Sequence, residues 1–168
     1  FLIYFFCGLA IHKDFGISID EPFHRTVGYY WYLWILNNFF PGIENLENLN
    51  SYFAQMEWSG EMNKGLFLQY GPFFDFFSAF LEDVLNIGDL YNVYHFRHLL
   101  NFILFFISTI FFYKIIENRF NNQLISLLGF LFYISSPRIF AESFYNSKDI
   151  TFLSLMIIST YFLIKLLR

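Results

Sequence analysis

The chain has 168 residues, of which 57% are hydrophobic, 25% aromatic and 14% charged, with a formal net charge of −4. A soluble domain carries about 25% charged residues, and a globule of this size has no room to bury 27 phenylalanines. The composition argues against an ordinary water-soluble domain, excludes a strongly basic nucleic-acid binder, and makes lipid the natural solvent for the apolar surplus.

In chain order, Phe1–Ile11 is apolar, has no initiator methionine before it and reads as the tail of a truncated spanning helix. A signal peptide is the competing reading, but a basic start and a small-residue cleavage site are both missing. The chain ends at Leu167-Arg168, directly after another apolar run, so a fragment of a longer protein is expected. Cys7 is the single cysteine, which excludes a disulfide framework and a cysteine-based metal site.

Asp14–Tyr30 gathers Asp14, Asp20, Glu21, His24 and Arg25 into one polar island. Tyr29–Phe40 is aromatic on every face, which predicts a helix lying at the membrane–water boundary. Pro41-Gly42 ends it. Ile43–Lys64 is polar and acidic, a loop or short helix. In Leu66–Leu85, Gly71, Asp75, Ser78 and Glu82 fall at helical spacing on one narrow face. A second interfacial helix is expected there, because a full span would hold Asp75 in mid-membrane. A full span is the competing reading, and it would put Asp149 on the opposite side from Asp20. Asn86–Tyr94 reads as a turn-rich connection around Gly88.

Three further runs lack charge: Leu99–Tyr113, Phe120–Pro137 and Ile150–Ile164. Each is slightly shorter than the roughly 20 residues of a span, and flanking aromatic residues extend it. Buried helices of a soluble core are the alternative, disfavoured by the phenylalanine content. Arg97, Asn101 and Ser108 share a stripe that reads as helix–helix contact. Lys114 and Arg119 in the Lys114–Gln123 turn, with Lys165 and Arg168, mark the cytoplasmic side. Arg138–Asp149, and the segment from Lys13 to about His98, then lie outside. The expected fold is an all-α integral membrane protein with about four spanning helices. Residues 1–12 end the first span, 13–96 form a long outer loop bearing interfacial amphipathic helices, and 97–168 hold three further spans.

The chemistry sits in two islands. Asp20-Glu21 pairs two carboxylates, one able to take a proton from a reacting group while the other orients a neighbour. His24 and Arg25 follow within one turn, and Arg25 suits a phosphate or a carboxylate. The local alternative is capping, since Ser18-Ile-Asp-Glu21 fits a capping box with Pro22 in the first turn. The second island is Arg138–Asp149. There Asn146 or Ser147 fits a helix cap and Asp149 the helix dipole. Arg138, Lys148 and the helix N-terminus also suit a phosphate. His12, His95 and His98 lack zinc-site spacing. Gly-rich phosphate loops, nucleophile elbows and basic nucleic-acid patches are missing as well.

Taken in order, these parts resemble the GT-C class of membrane glycosyltransferases, in the protein O-mannosyltransferase-like and aminoarabinose-transferase-like branch (families 39 and 83). The resemblance rests on Asp20-Glu21 opening an outer loop, an aromatic juxtamembrane helix, and Tyr70-Gly-Pro-Phe-Phe. It continues with Arg97 before His-Leu-Leu-Asn-Phe, a span ending Ser136-Pro137, and Asp149 closing an outer loop before the last span. Asn-Ser-Lys before Asp149 departs from the pattern.

The resemblance implies a GT-C-like helical bundle in the bacterial inner membrane. It implies a sugar donor linked to polyprenyl phosphate, and an acceptor hydroxyl on a lipid, glycan or protein. Asp20 would be the general base, Glu21 its support and Asp149 a second carboxylate near the substrates. A divalent cation is possible in this class, and no metal ligands are assigned. His24, Arg25, Arg138 and Lys148 are the candidate substrate-binding residues. Arg25, Arg138 and Lys148 would meet the leaving phosphate, because cations stabilise charge that grows there. The competing classes are a transporter and a lipid-binding scaffold without chemistry.

Overall fold

The computed structural model describes residues 1–40 and 71–167. Ile43–Lys64, the Pro41-Gly42 stop and the start of the Leu66–Leu85 stretch lie outside the described residues. Those described form helices and no strand: α1 (Leu2–Ile11), α2 (Glu21–Phe39), α3 (Phe73–Val84), α4 (Leu90–Phe120), α5 (Gln123–Ile134), α6 (Pro137–Tyr145) and α7 (Ser147–Leu166). They fall into two units, Phe1–Ile17 with Tyr94–Arg168, and Ser18–Val93.

In the first unit, aromatic rings join the helices. Gly8 brings α1 against the Phe102 ring of α4, where an added Cβ would collide. Phe102 stacks on Phe144 of α6 at 5.1 Å, and Phe144 stacks on Phe15 at 4.2 Å. Tyr133 of α5 packs on Phe112 at 4.6 Å, and Tyr161 of α7 on Phe111 at 5.1 Å. Such pairs contribute about 0.5–1.5 kcal/mol each beyond their burial. Ser108 and Thr109 donate to carbonyls of their own helix, Phe105 and Phe106. Asn101 donates to the Glu142 carbonyl at 3.4 Å, joining α4 to α6. This polar link fits the contact stripe expected at Arg97, Asn101 and Ser108, all three buried.

Among the described residues two helices, α4 and α7, are long and apolar enough to cross a membrane. The bent pair α5–α6 makes a third if it is one broken span. Four spans were expected. The expected tail of a first span is α1, an apolar helix of 10 residues, and the difference lies at α5, with 12. Twelve helical residues rise only about 18 Å, short of the roughly 30 Å hydrocarbon core. The expected span Phe120–Pro137 stops at Ile134 because Pro137 removes an N–H and forces Ser136 into extended backbone. Pro137 then opens α6, which runs 65° away from α5. Much of Arg138–Asp149, expected as loop, is therefore helix.

Other boundaries also move. α4 begins at Leu90, well before Leu99, because the Asp89 carboxylate accepts from the Asn92 N–H and caps it. It ends where Asn121 adopts φ 49°, and Asn122 caps α5 by accepting from the N–H groups of Leu124 and Ile125. The Lys114–Gln123 turn thus shrinks to two residues, Asn121 and Asn122. α3 closes on Asn86 at φ 55°. There the Ile87 N–H bonds the Glu82 carbonyl and the Asn86 N–H the Asp83 carbonyl, a Schellman motif with asparagine in the left-handed position.

In the second unit α2 packs on α3. Tyr29, Tyr32, Leu36 and Ala79 form the apolar part of the contact, with Phe76 against it. Gly28 allows the approach, since a Cβ there would run into the Asp75 backbone carbonyl. Gly28→Ala must part the helices, at a cost of about 1–3 kcal/mol. Thermal unfolding of the detergent-solubilised variant measures this; an unchanged midpoint would contradict the close approach.

Candidate active site

Asp20 occupies the N-cap position of α2 with helical backbone angles, and its side chain makes no capping hydrogen bond. It is exposed. Glu21 behaves differently. It is buried, and its Oε1 accepts from the Ser18 N–H at 2.7 Å. The bond has the Ser18–Glu21 spacing of a capping-box arm, but it closes the turn that precedes α2, whose N-cap is Asp20. The adjacent carboxylates therefore divide, one holding the turn and the other facing outward.

One turn on, the interior of the α2–α3 contact is ionic. His24 Nδ1 lies 3.2 Å from Asp75 Oδ2. Arg25 Nε donates to Glu82 Oε2 at 3.1 Å, with both side chains almost wholly buried. The Tyr29 hydroxyl donates to the same Glu82 oxygen at 3.1 Å, and the Arg25 guanidinium lies 5.4 Å from the Tyr29 ring centre. Tyr32 donates to Asp83 Oδ2 at 2.6 Å. Burial, and then the hydrogen bond to Asp83 and its charge, push the Tyr32 hydroxyl above its ordinary value.

Arg25, expected from sequence to meet a phosphate, has its guanidinium buried and bonded to Glu82 across the helix pair. His24 is likewise turned onto Asp75. Asp75, Glu82, Asp83, Tyr29 and Tyr32 were missed as partners. A signal was present, since the Asp75–Ser78–Glu82 stripe of α3 matches the His24–Arg25–Tyr29 stripe of α2 in charge.

The second island closes around Asn146. Its Oδ1 accepts from the Asp149 N–H at 3.0 Å, capping α7. Its Nδ2 donates to Asp149 Oδ2 at 3.1 Å and reaches Glu142 Oε2 at 3.5 Å. Arg138, four residues before Glu142 and exposed, donates to Glu142 Oε1 at 2.8 Å. Lys148 and Asp149 are exposed in the first turn of α7. Capping and an accessible carboxylate thus coexist here. Asn146→Ala removes the cap and should cost about 1 kcal/mol, read as a lower thermal midpoint; no shift would discount the cap.

Within the second unit the fold brings together Asp20, Glu21, His24 and Arg25, and within the first Arg138, Lys148 and Asp149. Among the described residues no group of three or more His, Cys, Asp or Glu side chains could hold a metal ion. Glu21 is engaged by Ser18, so the acidic island does not assemble a cation site, and no step below uses one. Searches against protein-family models, curated proteins and solved structures found no match to this chain.

Proposed function

We propose that the chain is part of a membrane glycosyltransferase that moves a sugar from a polyprenyl-phosphate donor to an acceptor hydroxyl on the outer face of a bacterial inner membrane. The observation that carries this reading is the divided acidic pair. Glu21 is fixed to Ser18, which anchors the turn, and Asp20 stands exposed beside it. Asp20 takes the acceptor hydroxyl proton, and the oxygen attacks the anomeric carbon opposite the phosphate. The bond from that carbon to the phosphate oxygen breaks, and polyprenyl phosphate leaves with inversion. Asp149 is a second carboxylate for orienting the sugar or the acceptor. Arg138 and Lys148 are exposed cations suited to the leaving phosphate. Arg25 and His24 serve through the packing of α2.

The test supplies vesicles containing the chain with radiolabelled polyprenyl-phosphate mannose or polyprenyl-phosphate aminoarabinose, and follows label into lipid, glycan and protein fractions. Transfer lost in Asp20→Asn supports the reading. Equal transfer by the variant removes Asp20 from the chemistry.

A further inference from the structure

α3 is inside out for a helix in water. Asp75, Ser78 and Glu82 are buried, at 4%, 0% and 1% exposure, and the two carboxylates pair with side chains of α2. Phe73, Phe77, Phe80 and Val84 recur every three or four residues and are exposed by 63%, 45%, 39% and 60%. Leu85, just past the helix, continues the face at 56%.

A helix lying flat at the interface turns its polar face to water and headgroups. Here α2 covers that face, and His24 and Arg25 lie against its two carboxylates. In water this packing would desolvate an ion pair while leaving a row of large apolar side chains wet. In hydrocarbon it is the favoured arrangement, because charges there must be turned inward and paired. The chain supplies the location. Only Leu85–Asp89 separates α3 from α4, a helix able to cross the membrane. Five residues span at most about 18 Å.

We propose that the Phe73–Phe77–Phe80–Val84 face of α3 is inserted among the acyl chains of the bilayer, with α2 covering its charged face. α3 enters as a partial-depth helix, since its 12 residues rise about 18 Å of the roughly 30 Å core. The occupant of the face is lipid, and the proposal is independent of any transfer chemistry.

Spin labels test it. Single cysteines at Phe77→Cys and, separately, Phe80→Cys are made on Cys7→Ser, with Asp89→Cys as the reference. Phe77, Phe80 and Asp89 are all exposed; Phe80 also meets the Tyr32 ring of α2, with centroids 6.2 Å apart, so Phe77→Cys is the primary site. The full chain is placed in phosphatidylethanolamine–phosphatidylglycerol vesicles. Collision rates are measured with oxygen, which concentrates in hydrocarbon, and with a water-soluble nickel chelate. The expected result is a higher oxygen-to-nickel ratio at 77 and 80 than at 89. A ratio equal to that at 89 places the face in water and overturns the proposal. Shielding from both reagents means a protein covers the face, and also overturns it.

Discussion

Glu82→Leu is expected to destabilise the second unit by about 3–5 kcal/mol, the cost of removing one partner of a buried ion pair. The change removes the carboxylate that lies 3.1 Å from Arg25 Nε and accepts from the Tyr29 hydroxyl. Arg25→Met should cost a similar amount by removing the cation bonded to Glu82. The double variant Arg25→Met with Glu82→Leu replaces both charges with apolar groups and should be far closer to wild type, because two desolvation penalties vanish with the one attraction. Chemical denaturation in detergent micelles measures all three. Additive losses in the double variant would show that the two side chains are not energetically coupled.

The second large effect is kinetic. Asp20→Asn should lower the transfer rate by about 10²–10⁴-fold, the usual contribution of a positioned general base. The thermal midpoint should not move, because the Asp20 side chain makes no capping bond. Glu21→Gln should show the converse balance. It weakens a charge-assisted bond to the Ser18 N–H, worth about 1–3 kcal/mol, so stability falls while the rate falls less than for Asp20→Asn. Two variants with the same loss of rate and of stability would mean that both carboxylates only hold the turn.

Much of the secondary structure could be read in the chain, because local signals govern it. Pro22 and Ser18-x-x-Glu21 marked the start of α2, and Asn146 the cap of α7. The polar stripe Asp75–Ser78–Glu82 was visible by spacing alone. What it faces was not, since Arg25 and Glu82 are 57 residues apart and only tertiary packing joins them. The interfacial reading of α3 rested on keeping Asp75 out of mid-membrane and did not foresee that α2 covers its polar face. Ser136-Pro137 was read as the end of a helix and hid the start of another. The signals for α6 lay just beyond, with Arg138 and Glu142 four residues apart, as are Phe140 and Phe144. α4 was read as starting too late because its first turns carry Asn92, His95 and Arg97 and look like a connection. The Asp89 cap was the missed cue.

The candidate site divides in the same way. The exposed Asp20 and the Asn146-Ser147-Lys148-Asp149 turn were legible as residues. The engagement of Glu21 with Ser18 was legible as the capping-box alternative, whereas that of Arg25 was not, because a charged side chain carries no mark of whether it faces a substrate or a neighbouring helix.

Site-selective labelling tests the central claim, that both islands serve one reaction on one face of the membrane. Asp20→Cys and Asp149→Cys, each on Cys7→Ser, are exposed to a membrane-impermeant maleimide in sealed, uniformly oriented vesicles. Labelling of both from the same, non-cytoplasmic side is the predicted result. Labelling from opposite sides would separate the two carboxylates by the bilayer and contradict the account.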